Sequence, residues 1–219
     1  MFKNKTIFLS IDLDYWLNIN RLQKELRYIL NNCSAPVKLF HEHHHTLNWI
    51  NKNPCDVLLN VDYHSDLADD NPKGPPRLSC GTWGNHVKWQ KTGKFVWLPT
   101  RYANYTEGWG VCCTSRGSGI NKIENDPFKE SLSGWEDRTE VIKSTINKIP
   151  LKQVKAIAIC LSIDYCLWYG CIFDKHIEKV QKIIPIPYAW YKQRFVTRKT
   201  RFAPLQRNHN AKRFHLTKD

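Results

Sequence analysis

Four stretches of the chain run almost unbroken in apolar and β-branched residues and then stop on acidic or imidazole side chains. Residues 5 to 12 read KTIFLSID, 35 to 43 APVKLFHEH, 55 to 66 CDVLLNVDYHSD and 153 to 164 QVKAIAICLSID. A strand with one face in water alternates apolar and polar residues. A continuous run is buried on both faces, as in a parallel sheet covered by helices. The cover is legible too. Leu22, Leu26, Ile29 and Leu30 share one face of a helix predicted over 18 to 32, and HHTLNWINKN reads as a short helix stopped before Pro54. Further helices are predicted over 137 to 149 and over 174 to 184, the last closed by PIP. Strands alternating with helices predict an α/β fold of three layers, α/β/α, with a mostly parallel central sheet.

At 219 residues and 42% hydrophobic content, the chain suits one such domain. Residues 67 to 135 are rich in Gly, Pro, Asn and Trp, and are expected to form loops, short strands and a lid. No linker composition divides the chain, so residues 1 to 190 are read as a single catalytic domain. Residues 191 to 219 form a basic C-terminal segment packed on it or extending from it. That segment holds nine Lys or Arg against one Asp, within a net charge of +13, and favours an acidic partner. No apolar run approaches the roughly 20 residues needed to span a bilayer. The N-terminus runs straight into a strand without a signal-peptide core, so a soluble, cytoplasmic protein with no membrane partner is expected. The eight cysteines are scattered without a CxxC pair, which argues against a zinc ribbon or a disulfide framework.

The chemistry gathers at strand ends. Asp12 and Asp14 follow the first strand, the cluster HEHHH follows the second, and Asp62, His64 and Asp66 follow the third. Parallel strands bring their C-terminal ends to one edge of the sheet, where open α/β proteins place their sites. In DYHSD the ligand types at i, i+2 and i+4 can turn toward one centre, and no apolar core would accept that cluster uncompensated. Hard oxygen plus imidazole suits Mn²⁺ or another divalent ion that tolerates octahedral geometry better than structural zinc. Four carboxylates can neutralise two such ions, and the ions would lower the pKa of a water molecule, with Asp66 a candidate to take its proton.

The order SIDLDYW, EHHHTLNW, VDYHSDL, CGTWGNHVKW resembles the peptide arginases of the arginase–deacetylase superfamily, over roughly residues 7 to 168. The resemblance implies an arginase-like fold and a hydrolase that converts arginine side chains of a precursor peptide to ornithine with release of urea. It also implies a pair of Mn²⁺ ions held by Asp12, Asp14, His43, Asp62, His64 and Asp66. His43 comes from matching the acid–His pair to Glu42–His43, with His44 its competitor; Glu42 and His44 are otherwise candidate substrate-facing residues. In arginases the SIDxD element comes late. Here the intact copy comes first, and the later copy, CLSIDYCLW, keeps Asp164 but carries Cys166 in place of the second acid. Asp164 is therefore either a replacement ligand, a carboxylate fork for the substrate guanidinium, or a strand-end cap. His86 is a candidate proton shuttle for the leaving amine, and the basic segment is a candidate guide for an acidic leader.

Rival readings share some of these residues. A metallophosphoesterase would use DYH and GNH, but the intervening Gly–Asp element is missing. A deacetylase or another amidine hydrolase would use the same ligands on a different substrate. A nucleic-acid-binding protein would use the basic, aromatic-interleaved tail, but leaves the ligand-bearing strand ends without a purpose.

Overall fold

A computed structural model describes residues 2–16, 18–67, 77–99, 135, 138–142, 144–161, 179–185 and 214–216. Strands β1 (Ile7–Asp12), β2 (Val37–Phe40), β3 (Val57–Asp62), β4 (Lys94–Pro99), β5 (Thr139–Val141), β6 (Val154–Cys160) and β7 (Phe214–Leu216) form one sheet in the order β5-β4-β3-β1-β6-β2-β7. Every pairing is parallel. Five longer strands make the centre, and the three-residue strands β5 and β7 flank them.

Two helices explain how the chain crosses this sheet. Helix α1 (Ile19–Asn32) leads from β1 to β2, and helix α2 (Leu47–Lys52) leads from β2 to β3 on the other side of β1. Crossovers in opposite directions keep one hand only if their helices lie on opposite faces, and the cores divide that way. One face joins Ile7, Leu9 and Ile11 of β1 to Leu22, Leu26 and Ile29 of α1. The other joins Phe8, Leu58 and Phe95 to Ile50 of α2 and to Trp83, Trp89 and Trp135. Helix α1 starts where the Asn18 side chain accepts from the N–H groups of Asn20 and Arg21 at 2.9 and 3.1 Å, a cap that satisfies otherwise unpaired donors. Burying each leucine of its stripe contributes about 1.5–3 kcal/mol.

The Trp-rich middle of the chain builds this second core. Trp89 and Trp135 meet edge to face at 5.9 Å, as do Phe95 and Trp135 at 5.4 Å. Three indole N–H groups find carbonyls: Trp89 donates to Ile50, Trp97 to Asp62 and Trp135 to Gly84. Within the stretch expected to contain a lid, residues 68–76 and 100–134 lie outside the described residues.

One expectation changes. The helix predicted over 137–149 is instead β5 followed by a 3-10 turn, Ile146–Lys148. Hydrogen bonding to β4 and burial of Ile146 and Ile149 outweigh the local helical spacing. Of the basic C-terminal segment expected over 191–219, residues Phe214–Leu216 pair with β2, and the others lie outside the described residues. Of the helix predicted over 174–184, residues 179–181 are helical and 174–178 lie outside the described residues. No helix among the described residues is long and apolar enough to cross a membrane.

Candidate metal centre

On the face shared with α2, the sheet changes character along its strands. β1 presents Phe8, then Ser10 and Asp12; β3 presents Leu58, then Asn60 and Asp62. All four polar residues are buried. Ser10 is in register with Asn60 and Ile11 with Val61, so Asp12 and Asp62 finish neighbouring strands side by side. The turn His43–Thr46 after β2 contacts β6, where Ala158 and Cys160 leave room on that face. His43 is thereby carried across β6 to the acids of β1 and β3.

His43 is 1% exposed, and its Nδ1 lies 3.2 Å from Asp12 Oδ2, 3.1 Å from Asp62 Oδ2 and 2.7 Å from Asp66 Oδ2. One ring nitrogen carries at most one proton and cannot serve three carboxylates; Nδ1 makes no hydrogen bond of good geometry. Adjacent ligands of an octahedral ion with bonds of about 2.1 Å stand about 3.0 Å apart. The spacing of Asp62 and Asp66 about Nδ1 suits ligands of one cation. The other ring nitrogen, Nε2, is 2.8 Å from Ser10 Oγ, the kind of partner that fixes the ring of a metal-bound histidine.

The carboxylates are oriented by backbone donors. Asp12 Oδ1 accepts from the Asp14 N–H at 3.1 Å, Asp14 Oδ1 from Tyr63 at 3.3 Å and Asp62 Oδ1 from His64 at 2.9 Å. Their second oxygens face the imidazoles: Asp12 and Asp62 face His43, and Asp14 Oδ2 lies 3.4 Å from His64 Nδ1. Asp66 reaches the cluster by another route. Its backbone is left-handed, with φ of 58°, a conformation Asp tolerates better than most residues. Its carbonyl accepts from Gly84 N and its carboxylate from the Trp83 indole at 2.5 Å. A side chain on Gly84 would meet Leu67 Cδ2 at 2.6 Å and the Asp66 carbonyl at 3.1 Å, so this close approach requires glycine.

The result is two overlapping ligand groups, His43–Asp62–Asp66 and Asp14–Asp62–His64, sharing Asp62. A third, Asp12–His43–Cys160, adjoins the first. The residues of DYHSD thus do not converge on a single point: the turn at Asp66 sends His64 toward Asp14 while Asp62 and Asp66 face His43. These clusters could hold metal ions.

The electrostatics agree. Burial, then the charges of Asp66 and Asp12, pushes Asp62 up to about 7. Burial, then Asp62, also raises Asp14. Burial disfavours charged His43, yet the Asp66 charge and the hydrogen-bonding positions of Asp12, Asp62 and Asp66 carry it well above 6.5. Burial opposes His64 similarly, and Asp14 lifts it to about 9. The metal-free cluster therefore holds protons where cations would otherwise compensate its acids.

The six residues expected as ligands are all within these groups, and His43, not His44, faces the acids. His44 instead lies against His45, their ring centroids 4.1 Å apart and the planes tilted by 53°, and Glu42 Oε1 lies 3.3 Å from His41 Nδ1. His86 ends the 3-10 turn Trp83–His86 and belongs to none of the groups found among the described residues. Asp164 and Cys166 lie outside the described residues. Sequence reasoning missed Ser10, Asn60, Trp83 and Cys160. Ser10 and Asn60 stand two residues before Asp12 and Asp62, so the period of a strand places them on the same face. Trp83 carried no local signal. None of the family models, curated proteins or solved structures compared with the chain matches it.

Proposed function

We propose that the protein is a two-metal hydrolase that converts arginine side chains of a peptide to ornithine, releasing urea. The observation that carries this reading is Asp62, shared between two ligand groups that each hold a second carboxylate and an imidazole. The order of motifs, SIDLDYW to CGTWGNHVKW, supports the choice of arginine over other substrates through its resemblance to peptide arginases.

Bound divalent ions, Mn²⁺ in this reading, would supply Lewis-acid activation of a water molecule beside the guanidinium carbon. Asp12, Asp14, His43, Asp62, His64 and Asp66 would hold those ions. Asp66 accepts the proton of the attacking water, its carboxylate already aimed by Trp83. His86 returns a proton to the departing amine. Asp164 accepts the parallel N–H pair of the guanidinium, which fixes orientation as well as charge. The basic segment 191–219 draws an acidic leader of the peptide toward the sheet edge, a long-range effect weakened by salt.

The test is mass spectrometry of arginine-containing peptides after incubation with Mn²⁺-loaded protein. The reading expects a loss of CH₂N₂ per converted arginine, with urea as co-product. Agmatine, an acetyl-lysine peptide and a phosphodiester serve as parallel substrates. Turnover of one of these without loss of CH₂N₂ from any arginine peptide would reassign the site. Neutralising Arg198, Lys199 and Arg201 together should weaken peptide affinity and flatten its salt dependence; no change in either would remove the guiding role.

A further inference from the structure

We propose that Cys160 is a thiolate ligand of this centre, so that the ion beside Asp12 and His43 has mixed sulfur, nitrogen and oxygen coordination. The inference rests on the metal-centre reading above and changes what that centre should bind.

Cys160 ends β6 in register with Asp12 of β1. In-register neighbours of a parallel pair point to the same face, and Asp12 is flanked on its other side by Asp62. The C-terminal edge therefore carries Asp62, Asp12 and Cys160 in a row. Cys160 is fully buried and in no disulfide. Its sulfur, an oxygen of Asp12 and a ring nitrogen of His43 all lie within 4.8 Å of one another. A second observation bears on this spot: His43 Nδ1, almost wholly buried, makes no hydrogen bond and lies 3.2 Å from Asp12 Oδ2 as well as close to Asp62 and Asp66.

The thiol makes a long contact, Sγ to the His41 carbonyl at 3.8 Å. Coordination would release the thiol proton to solvent and replace that weak contact with a metal–sulfur bond. No oxidant or reductant is needed. The second ligand group, Asp14–Asp62–His64, contains no sulfur. The two positions are thus unequal: one hard, offering oxygen and nitrogen, the other softened by a thiolate. Such a donor set favours Co²⁺, Fe²⁺ or Zn²⁺ over Mn²⁺ at the softer position.

The experiment is Co²⁺ titration of the metal-free full-length protein, followed by electronic absorption, alongside Cys160→Ser and Cys160→Ala. The native protein is expected to develop visible d–d bands and a near-ultraviolet sulfur-to-cobalt charge-transfer band together. The Ser variant should keep the d–d bands and lose the charge-transfer band. Its Co²⁺-to-Mn²⁺ occupancy ratio in competition should also fall several-fold. If Ser disrupts folding, judged by circular dichroism, the Ala variant supplies the comparison. Absence of the charge-transfer band from the native protein, or its persistence in both variants, overturns the thiolate. Absence of d–d bands from the native protein overturns the metal centre as well, which separates the two failures.

Discussion

The Trp83 indole donates to Asp66 Oδ2 at 2.5 Å while its ring lies against His43, the centroids 4.6 Å apart. One side chain thus aims a carboxylate and braces an imidazole of the same ligand group. Trp83→Phe keeps most of the ring contact and removes the donor. Losing such a partner typically weakens metal affinity by about 10–100-fold, and leaving a buried acceptor unpaired costs about 1–3 kcal/mol. Calorimetric titration with Mn²⁺ and a thermal melt would measure both. Unchanged affinity would mean that Asp66 needs no such support.

His43 and His44 are adjacent, yet only His43 faces Asp12, Asp62 and Asp66. His43→Ala should abolish binding at the group containing Asp66, and His44→Ala should leave metal stoichiometry unchanged. Elemental analysis after dialysis distinguishes them. Loss of metal in the His44 variant alone would reverse the assignment.

Asp62→Asn is expected to separate function from stability. The substitution removes the shared ligand, so metal content and activity should both vanish. It also removes a buried charge raised from 3.8 to about 7 by burial, Asp66 and Asp12. A shift of that size corresponds to a few kcal/mol of electrostatic cost above neutral pH, to order of magnitude. The metal-free variant should therefore melt higher than the metal-free native protein at pH 8. A lower melting temperature there would show that Asp62 is not held against its neighbours' charge.

The same shifts set a pH dependence. A carboxyl whose folded pKa is raised binds its proton more tightly in the folded state, so Asp62 removes stability as pH climbs from about 4 to 7. His64, raised from 6.5 to about 9, stabilises the fold below its unfolded pKa and loses that contribution as pH rises through 9. His43, also raised, acts with the same sign. Metal-free protein should lose thermal stability steadily between about pH 4 and 9. Apparent Mn²⁺ affinity should rise over the same interval as protons compete less well. Melting curves with and without metal across that range test both signs.

Much of this centre was legible because strand-end acids and imidazoles announce themselves against apolar runs. Asp12, Asp14, Asp62, His64 and Asp66 needed only the rule that parallel strands share a C-terminal edge. His43 was preferred to His44 only through the resemblance; why it is the one that faces the acids lies in the course of a 3-10 turn across β6, which residue type does not encode. The left-handed backbone of Asp66 was hidden because its cause, the approach of Gly84, lies 18 residues on. Cys160 reads in isolation as core. Its partner Asp12 is on another strand, and register between β1 and β6 is a property of the sheet. The misread helix over 137–149 has the same origin. Val141, Ile142, Ile146 and Ile149 suit a helical face, but β4 offers residues 139–141 an open edge.

The most direct test of the account is Mn²⁺ titration of metal-free protein, read by calorimetry and electron paramagnetic resonance, with Asp62→Asn beside it. The native chain should take up two equivalents, the second giving an exchange-coupled spectrum because Asp62 joins the two sites. The Asp62→Asn chain should show no coupled pair. A single equivalent with an uncoupled spectrum, or a coupled pair that survives Asp62→Asn, would contradict a two-metal centre built on that residue.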